Sequence, residues 1–131
     1  MKILIVEDNF KSRKILVEFL EGYGQIDIAV NGHEALQAFE LGLEENAPYE
    51  LMLLDIMMPQ MDGHETLEAV REIEKKRRIF TSDGIKIIMI TALVDGKNIM
   101  HAFRQGCEHY ITKPFRKEAL LDALRKLEMI P

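Results

Sequence analysis

Residues 51–63 read LMLLDIMMPQMDG. Leu51 to Leu54 is an unbroken apolar run, the pattern of a strand covered on both faces. Asp55 ends that run, so its carboxylate stands at the rim of a buried strand, where chemistry is in reach and full solvation is not. Pro59 and the Asp62-Gly63 pair then mark a turn-rich loop. Asp62 is placed to cap a helix carrying Leu67, Val70 and Ile73.

The same unit recurs in both directions from this stretch. Ile3 to Val6 is a second apolar run, ended by Glu7 and Asp8, and a helix over Phe10 to Glu21 follows with Ile15, Leu16, Phe19 and Leu20 at helical spacing. Gly22 and Gly24 stop that helix, and Gln25 to Val30 alternates as a more exposed edge strand. Asn31, with Glu34 in the first turn, opens a helix through Leu36, Phe39 and Leu43, and Pro48 punctuates. Ile85 to Ile90 is the third buried run, ended by Thr91. A helix from Asp95 to Gln105 closes at Gly106, Glu108 to Thr112 is the last strand, and Lys113 follows it. Leu120, Leu121, Leu124 and Leu127 line one side of a closing helix over Phe115 to Glu128.

This alternation predicts a (βα)5 doubly wound α/β domain with a parallel sheet covered on both faces by right-handed crossovers. Ligands in such folds bind outside the carboxyl ends of the strands, where strand order reverses. Glu7, Asp8, Asp55, Thr91 and Lys113 all fall at those ends.

Composition bounds the function. The chain has 131 residues, 47% hydrophobic and 30% charged, which predicts one domain spanning 1–131 with no output module. A net charge of −5 argues against direct nucleic-acid binding. No apolar stretch approaches the roughly 20 residues that span a bilayer. MKILIVED has too short an apolar run for a signal peptide, and the single Cys107 fits a reducing compartment, so a cytoplasmic location is expected. Cys107 itself reads as a small buried hydrophobe. His33, His64, His101 and His109 lack the close pairing of a metal site and read as surface or core residues.

Three converging carboxylates repel one another, and a hard divalent cation removes the conflict. Oxygen-only donors favour Mg²⁺ over zinc or copper. Asp8 and Asp55 are the expected direct ligands, with Glu7 acting through water. Lys113 adds a positive charge and Thr91 a hydroxyl donor. The set suits phosphoryl transfer, which needs positioning and charge neutralisation, with Asp55 attacking phosphorus to give an acyl phosphate.

With ILIVEDN, LLDIMMPQMDG, IIMITA and YITKPF in this order, the chain resembles the receiver domain of two-component response regulators, stand-alone chemotaxis receivers among them. The resemblance implies a flavodoxin-like strand order 2-1-3-4-5. It implies that Asp55 accepts a phosphoryl group from a histidine kinase or histidine phosphotransfer protein. It also implies Mg²⁺ on Asp8, Asp55 and the backbone carbonyl of Met57, with Glu7 in the outer acid position. Thr91 and Lys113 match the switch hydroxyl and the phosphoryl-binding lysine, and Tyr110 matches the aromatic that turns inward on activation. Lys113-Pro114 matches a bond that is cis in such domains. The implied output is a changed surface on the fourth helix, fifth strand and fifth helix, read by a downstream protein. The implied chemistry is self-catalysed phosphorylation and autodephosphorylation without enzymatic turnover, in a monomer or weak dimer.

Glu7 departs from the commoner Asp by one methylene, which alters metal affinity. Met57 and Leu93 stand where family members tune the hydrolytic water and are apolar here, which favours a long-lived phosphoryl state, while Ala92 is small enough to leave the phosphate accessible. A haloacid-dehalogenase-type phosphatase would carry an acid where this chain has Met57, and no glycine-rich nucleotide loop occurs. Two alternatives stay open: a relay intermediate that passes the phosphoryl group on, and a pseudo-receiver acting as a protein-binding module. Lys75 to Gly84, KKRRIFTSDG, exceeds a minimal connection and reads as either a mobile loop or a partner contact. Its basic run most simply complements the negative end of a helix.

Overall fold

The computed structural model describes residues 1–131. Strands β1 (Lys2–Val6), β2 (Gln25–Ala29), β3 (Leu51–Leu54), β4 (Lys86–Thr91) and β5 (His109–Thr112) alternate with α1 (Phe10–Leu20), α2 (Gly32–Glu44), α3 (Gly63–Lys76), α4 (Gly96–Gln105) and α5 (Lys117–Lys126). The strands form one five-stranded parallel sheet in the order β2-β1-β3-β4-β5. This is the expected doubly wound architecture.

Successive side chains of a buried strand point to opposite faces, so each apolar run feeds two cores. Leu4, Val6, Met52, Leu54, Ile87 and Met89 join Phe39, Leu67 and Val70 under α2, α3 and α4. Ile3, Ile5, Leu51, Leu53, Ile88 and Ile90 meet Leu16, Leu20, Leu120 and Leu124 under α1 and α5. Each such side chain contributes about 1.5–3 kcal/mol of burial free energy, so the continuous runs specify central strands with little tolerance for polar substitution.

The helices start where short polar side chains can take up free N–H groups. Asn9, Asn31, Asp62 and Asp95 each accept a hydrogen bond from the backbone N–H three residues on, and Asp62 with Glu65 completes a reciprocal capping box. Asn9 thus caps α1, and Glu7 and Asp8 are left for other work. The closing helix is shorter than its periodicity predicts. Phe115 is held outside α5 by edge-to-face packing on Phe19, with ring centroids 5.9 Å apart, and Arg116 is extended. At the other end Met129 N–H bonds back to the Leu124 carbonyl and Glu128 takes a positive φ of 58°, which stops the helix at Lys126.

Lys75–Gly84 follows a defined path: the end of α3, a left-handed turn at Arg78 and a 3₁₀ turn over Thr81–Asp83. The buried Glu74 carboxylate ties it down by accepting from Ile85 N–H at 2.8 Å and pairing with Arg71 at 2.7 Å.

Candidate functional site

Strand register brings the singled-out residues level. Val6 pairs with Leu54, Leu54 with Met89, and Thr91 with Thr112. The ladder continues one step beyond the strands, with Glu7 N–H on the Ala29 carbonyl, Asp55 N–H on the Val6 carbonyl and Lys113 N–H on the Thr91 carbonyl, at 2.8–3.1 Å. Side chains separated by more than a hundred residues in sequence therefore open into one cup.

Glu7 is 1% exposed and Asp55 is buried, while Asp8 faces solvent. Carboxylate oxygens of all three lie within 4.8 Å of one another. The Lys113 ammonium pairs with Glu7 and also with Asp55 Oδ2, the latter at 3.1 Å. Asp55 Oδ1 accepts from Met57 N–H at 3.1 Å, and Glu7 Oε2 from Asn9 N–H at 3.2 Å. Arg13 braces the rim by donating to the Glu7 carbonyl at 3.1 Å.

One ammonium does not balance three carboxylates. Burial pushes Glu7 up to about 7; Lys113 opposes the shift by hydrogen bonding, and the nearby charge of Asp55 adds to it. Lys113 responds in the complementary sense: burial disfavours its charge, but Glu7 and Asp55 outweigh that and raise it. A converging oxygen-only donor set with one acid driven towards its neutral form fits a small hard cation.

The sign of the Glu7 effect gives a direct test. An acid raised in the folded state favours folding most when protonated, and that contribution disappears as pH rises from the ordinary 4.5 through about 7. In metal-free buffer, urea-unfolding stability is expected to fall across this window, and Glu7→Gln is expected to flatten the fall. An unchanged profile in the variant would show that Glu7 is not strained.

Thr91 is fully buried at the end of β4, and its Oγ1 accepts from Leu93 N–H at 3.4 Å. Tyr110 is half-buried, and its hydroxyl donates to the Leu93 carbonyl at 2.8 Å. Burial lifts that phenol to about 12, so it acts only as a neutral donor. Leu93 thus links the two residues expected to move. Met57 and Ala92 are exposed beside the cup and Leu93 is half-buried, so none of the three presents a polar side-chain atom. Lys113-Pro114 is cis.

Two clusters escape a sequence reading. His64, in the first turn of α3, faces Asn98 Oδ1 at 2.7 Å and Gln105 Oε1 at 3.1 Å on α4, and its ring centroid is 4.4 Å from that of His101. Asn98 Nδ2 donates to Asp95 at 2.8 Å, which leaves its oxygen for His64 Nε2–H. The start of α3 is thereby joined to α4. Arg71 pairs with Glu74 and Glu108 and donates to the Gly106 carbonyl, and Glu108 in turn accepts from Ile87 N–H at 2.6 Å. Neither cluster has a local motif, because each is closed by contacts between residues 34 to 41 positions apart.

Known proteins agree with this geometry. The family described as response regulator receiver domain matches residues 3–125. ResD of Bacillus subtilis, a transcriptional regulatory protein, is 41% identical over 115 residues, covering 87% of this chain and 42% of ResD. The chemotaxis protein CheY of Halobacterium salinarum is 34% identical over 124 residues, covering 94% of this chain and 92% of that protein. Among solved structures, the Borrelia burgdorferi CheX–CheY complex with BeF₃ and Mg²⁺ superposes with a TM-score of 0.83 at 27% identity, over 98% of this chain and 89% of that one. Several other curated relatives are much longer, and the chain spans only 6% to 55% of the length of three of them. With its strand order, its acidic cup and a family match across nearly its whole length, the chain belongs to the response regulator receiver domains of two-component signalling.

Proposed function

We propose that Asp55 accepts a phosphoryl group from a phosphohistidine on a histidine kinase or histidine phosphotransfer protein. The observation that carries the reading is the cup itself, in which Lys113 reaches both Glu7 and Asp55 and three carboxylates converge on one point. An Asp55 oxygen forms the new O–P bond as the P–N bond breaks, and the electron pair leaves with the imidazole. Lys113 is within reach to neutralise a phosphoryl oxygen, and Met57 N–H holds the other Asp55 oxygen in place. Asp8, Asp55 and the Met57 carbonyl would hold Mg²⁺, with Glu7 in the outer position, and the cation would supply charge neutralisation for the transferring group.

A phosphoryl group adds about −1.5 to −2 charge. Thr91 turns towards it, Leu93 shifts, and the Tyr110 hydroxyl leaves the Leu93 carbonyl for the vacated space. The α4-β5-α5 face changes and a downstream protein reads it. The chain is a switch with self-catalysed phosphorylation and autodephosphorylation, not an enzyme with turnover. No helix is long and apolar enough to cross a membrane, and the single cysteine fits work in the cytoplasm.

Beryllofluoride with Mg²⁺ is expected to shift the backbone amide signals of Asp55, Thr91, Leu93 and Tyr110, and to do so only with the metal present. Silence in that titration would leave a pseudo-receiver that binds partners without phosphorylation. Thr91→Ala is expected to keep phosphorylation within about tenfold, since general positioning survives, while the α4-β5-α5 shifts disappear. Full shifts in that variant would sever Thr91 from the switch.

A further inference from the structure

The end of the domain opposite the cup carries a different surface. Residues 75–86 hold Lys75, Lys76, Arg77, Arg78 and Lys86 against one acid, Asp83, in a chain whose net charge is −5. Lys75 and Lys76 lie in the last turn of α3, where cations complement the helix dipole. That accounts for two of the five.

Two further features shape this end of α3. Arg78 holds φ 59° at the position just past the helix where glycine is the unstrained choice, closed by Ile79 N–H on the Glu74 carbonyl at 2.9 Å. Phe80 is 77% exposed, more than any other large apolar side chain of the protein. Together Lys75, Arg78, Ile79 and Phe80 border a recess of about 650 Å³ that reaches Gln105 and Gly106 at the end of α4. Arg71 and Glu74 also line it, and they neutralise each other, with Arg71 paired to Glu108 as well. Lys75, Lys76 and Arg78 form no ion pair, and Arg77 reaches only Glu44 at 3.9 Å.

We propose that this recess docks a short acidic protein segment that lays one apolar side chain against Phe80 and Ile79. Charge complementarity selects the sign of the partner. The small extent of the patch selects its size. Outside residues 75–86 the chain is strongly acidic, with 21 acids against 12 cations. A long polyanion such as duplex DNA or an anionic bilayer would overrun the patch and meet repulsion within a screening length of about 8 Å. A few residues of extended chain would not. Because α3 has 14 residues, the recess lies about 20 Å from the acceptor loop. Binding there is expected in the metal-free, unphosphorylated protein, so its failure is distinguishable from failure of the phosphorylation reading.

Fluorescence anisotropy with the full chain tests this, using a fluorescein-labelled dodecapeptide of Asp and Glu with a central Leu-Phe pair. Saturable binding is expected, weakening about tenfold between 50 and 300 mM NaCl as screening grows. The Lys75→Glu, Arg78→Glu double variant is expected to lose at least tenfold, and Phe80→Ser about fivefold. The Lys11→Glu, Lys14→Glu double variant, with the same charge change on α1, is expected to bind as the unaltered chain does. All these positions are exposed, and thermal denaturation confirms that each variant folds. The proposal is overturned by a lack of saturable binding, by equal losses in the α1 variant, by indifference to Phe80→Ser, or by tighter binding of a 20-base-pair duplex or phosphatidylserine vesicles.

Discussion

Asp55→Asn is expected to abolish phosphorylation by acetyl phosphate, with labelling falling by three decades or more, on the order seen when a covalent nucleophile is removed. An amide oxygen has the shape of the carboxylate and can still accept from Met57 N–H, which lies 3.1 Å from Asp55 Oδ1. The fold and the cup should persist, so the loss would report chemistry alone. A second readout moves in a defined direction. Asp55 is one of the causes that raise Glu7, so removing its charge should bring the Glu7 titration down from about 7. Phosphate incorporation measured by mass spectrometry, with the Glu7 carboxyl followed by NMR, checks both. Labelling that survives in the variant would place the acceptor on another residue.

Gly63→Ala is expected to have the largest effect on stability of any single-methyl change near the site. A Cβ at this position would lie 2.4 Å from the Asp55 carbonyl oxygen and 2.6 Å from Ile56 Cα. Both are backbone atoms, so no side-chain rotation relieves the overlap. The start of α3 would have to move away from the acceptor loop, breaking the 2.9 Å bond from Gly63 N–H to the Ile56 carbonyl. Overpacking of this kind costs about 3 kcal/mol, which in a domain of this size lowers Tm by roughly 10 °C. Displacement of Asp55 by about 1 Å would slow phosphorylation by roughly a hundredfold. Gly96→Ala is the control, since a Cβ there meets nothing within 4 Å, and it should leave both stability and labelling near the starting values. Thermal denaturation followed by circular dichroism decides the first effect. A Gly63→Ala protein melting within about 2 °C of the parent would show that the helix and loop are not locked together.

The two variants probe different amounts of sequence information. Asp55 is legible because it terminates an apolar run, and such runs are local facts that burial on both faces makes unambiguous. Gly63 could be read from sequence as a turn residue after Asp62, but the reason it must be glycine lies in the backbone of Asp55 and Ile56 crossing its path. Element ends show the same division. Asn31 and Asp62 could be read as caps from their spacing, and each caps its helix, whereas Asp95 reads as the first residue of α4 and proves to be its cap. The start of α5 was not legible, because the packing of Phe115 on Phe19 overrides helical periodicity and the two rings are 96 positions apart in sequence.

The amino-acid order alone determined the alternation of strand and helix, the two-faced burial of the sheet and the five polar residues at strand ends, because each follows from periodicities of two to four residues. Tertiary structure alone decided that Lys113 pairs with both Glu7 and Asp55, that Glu7 is driven towards its neutral form, and that His64 joins the start of α3 to α4. Those outcomes depend on parallel register, on desolvation and on which charges meet across the sheet, and no local run of residues encodes any of them.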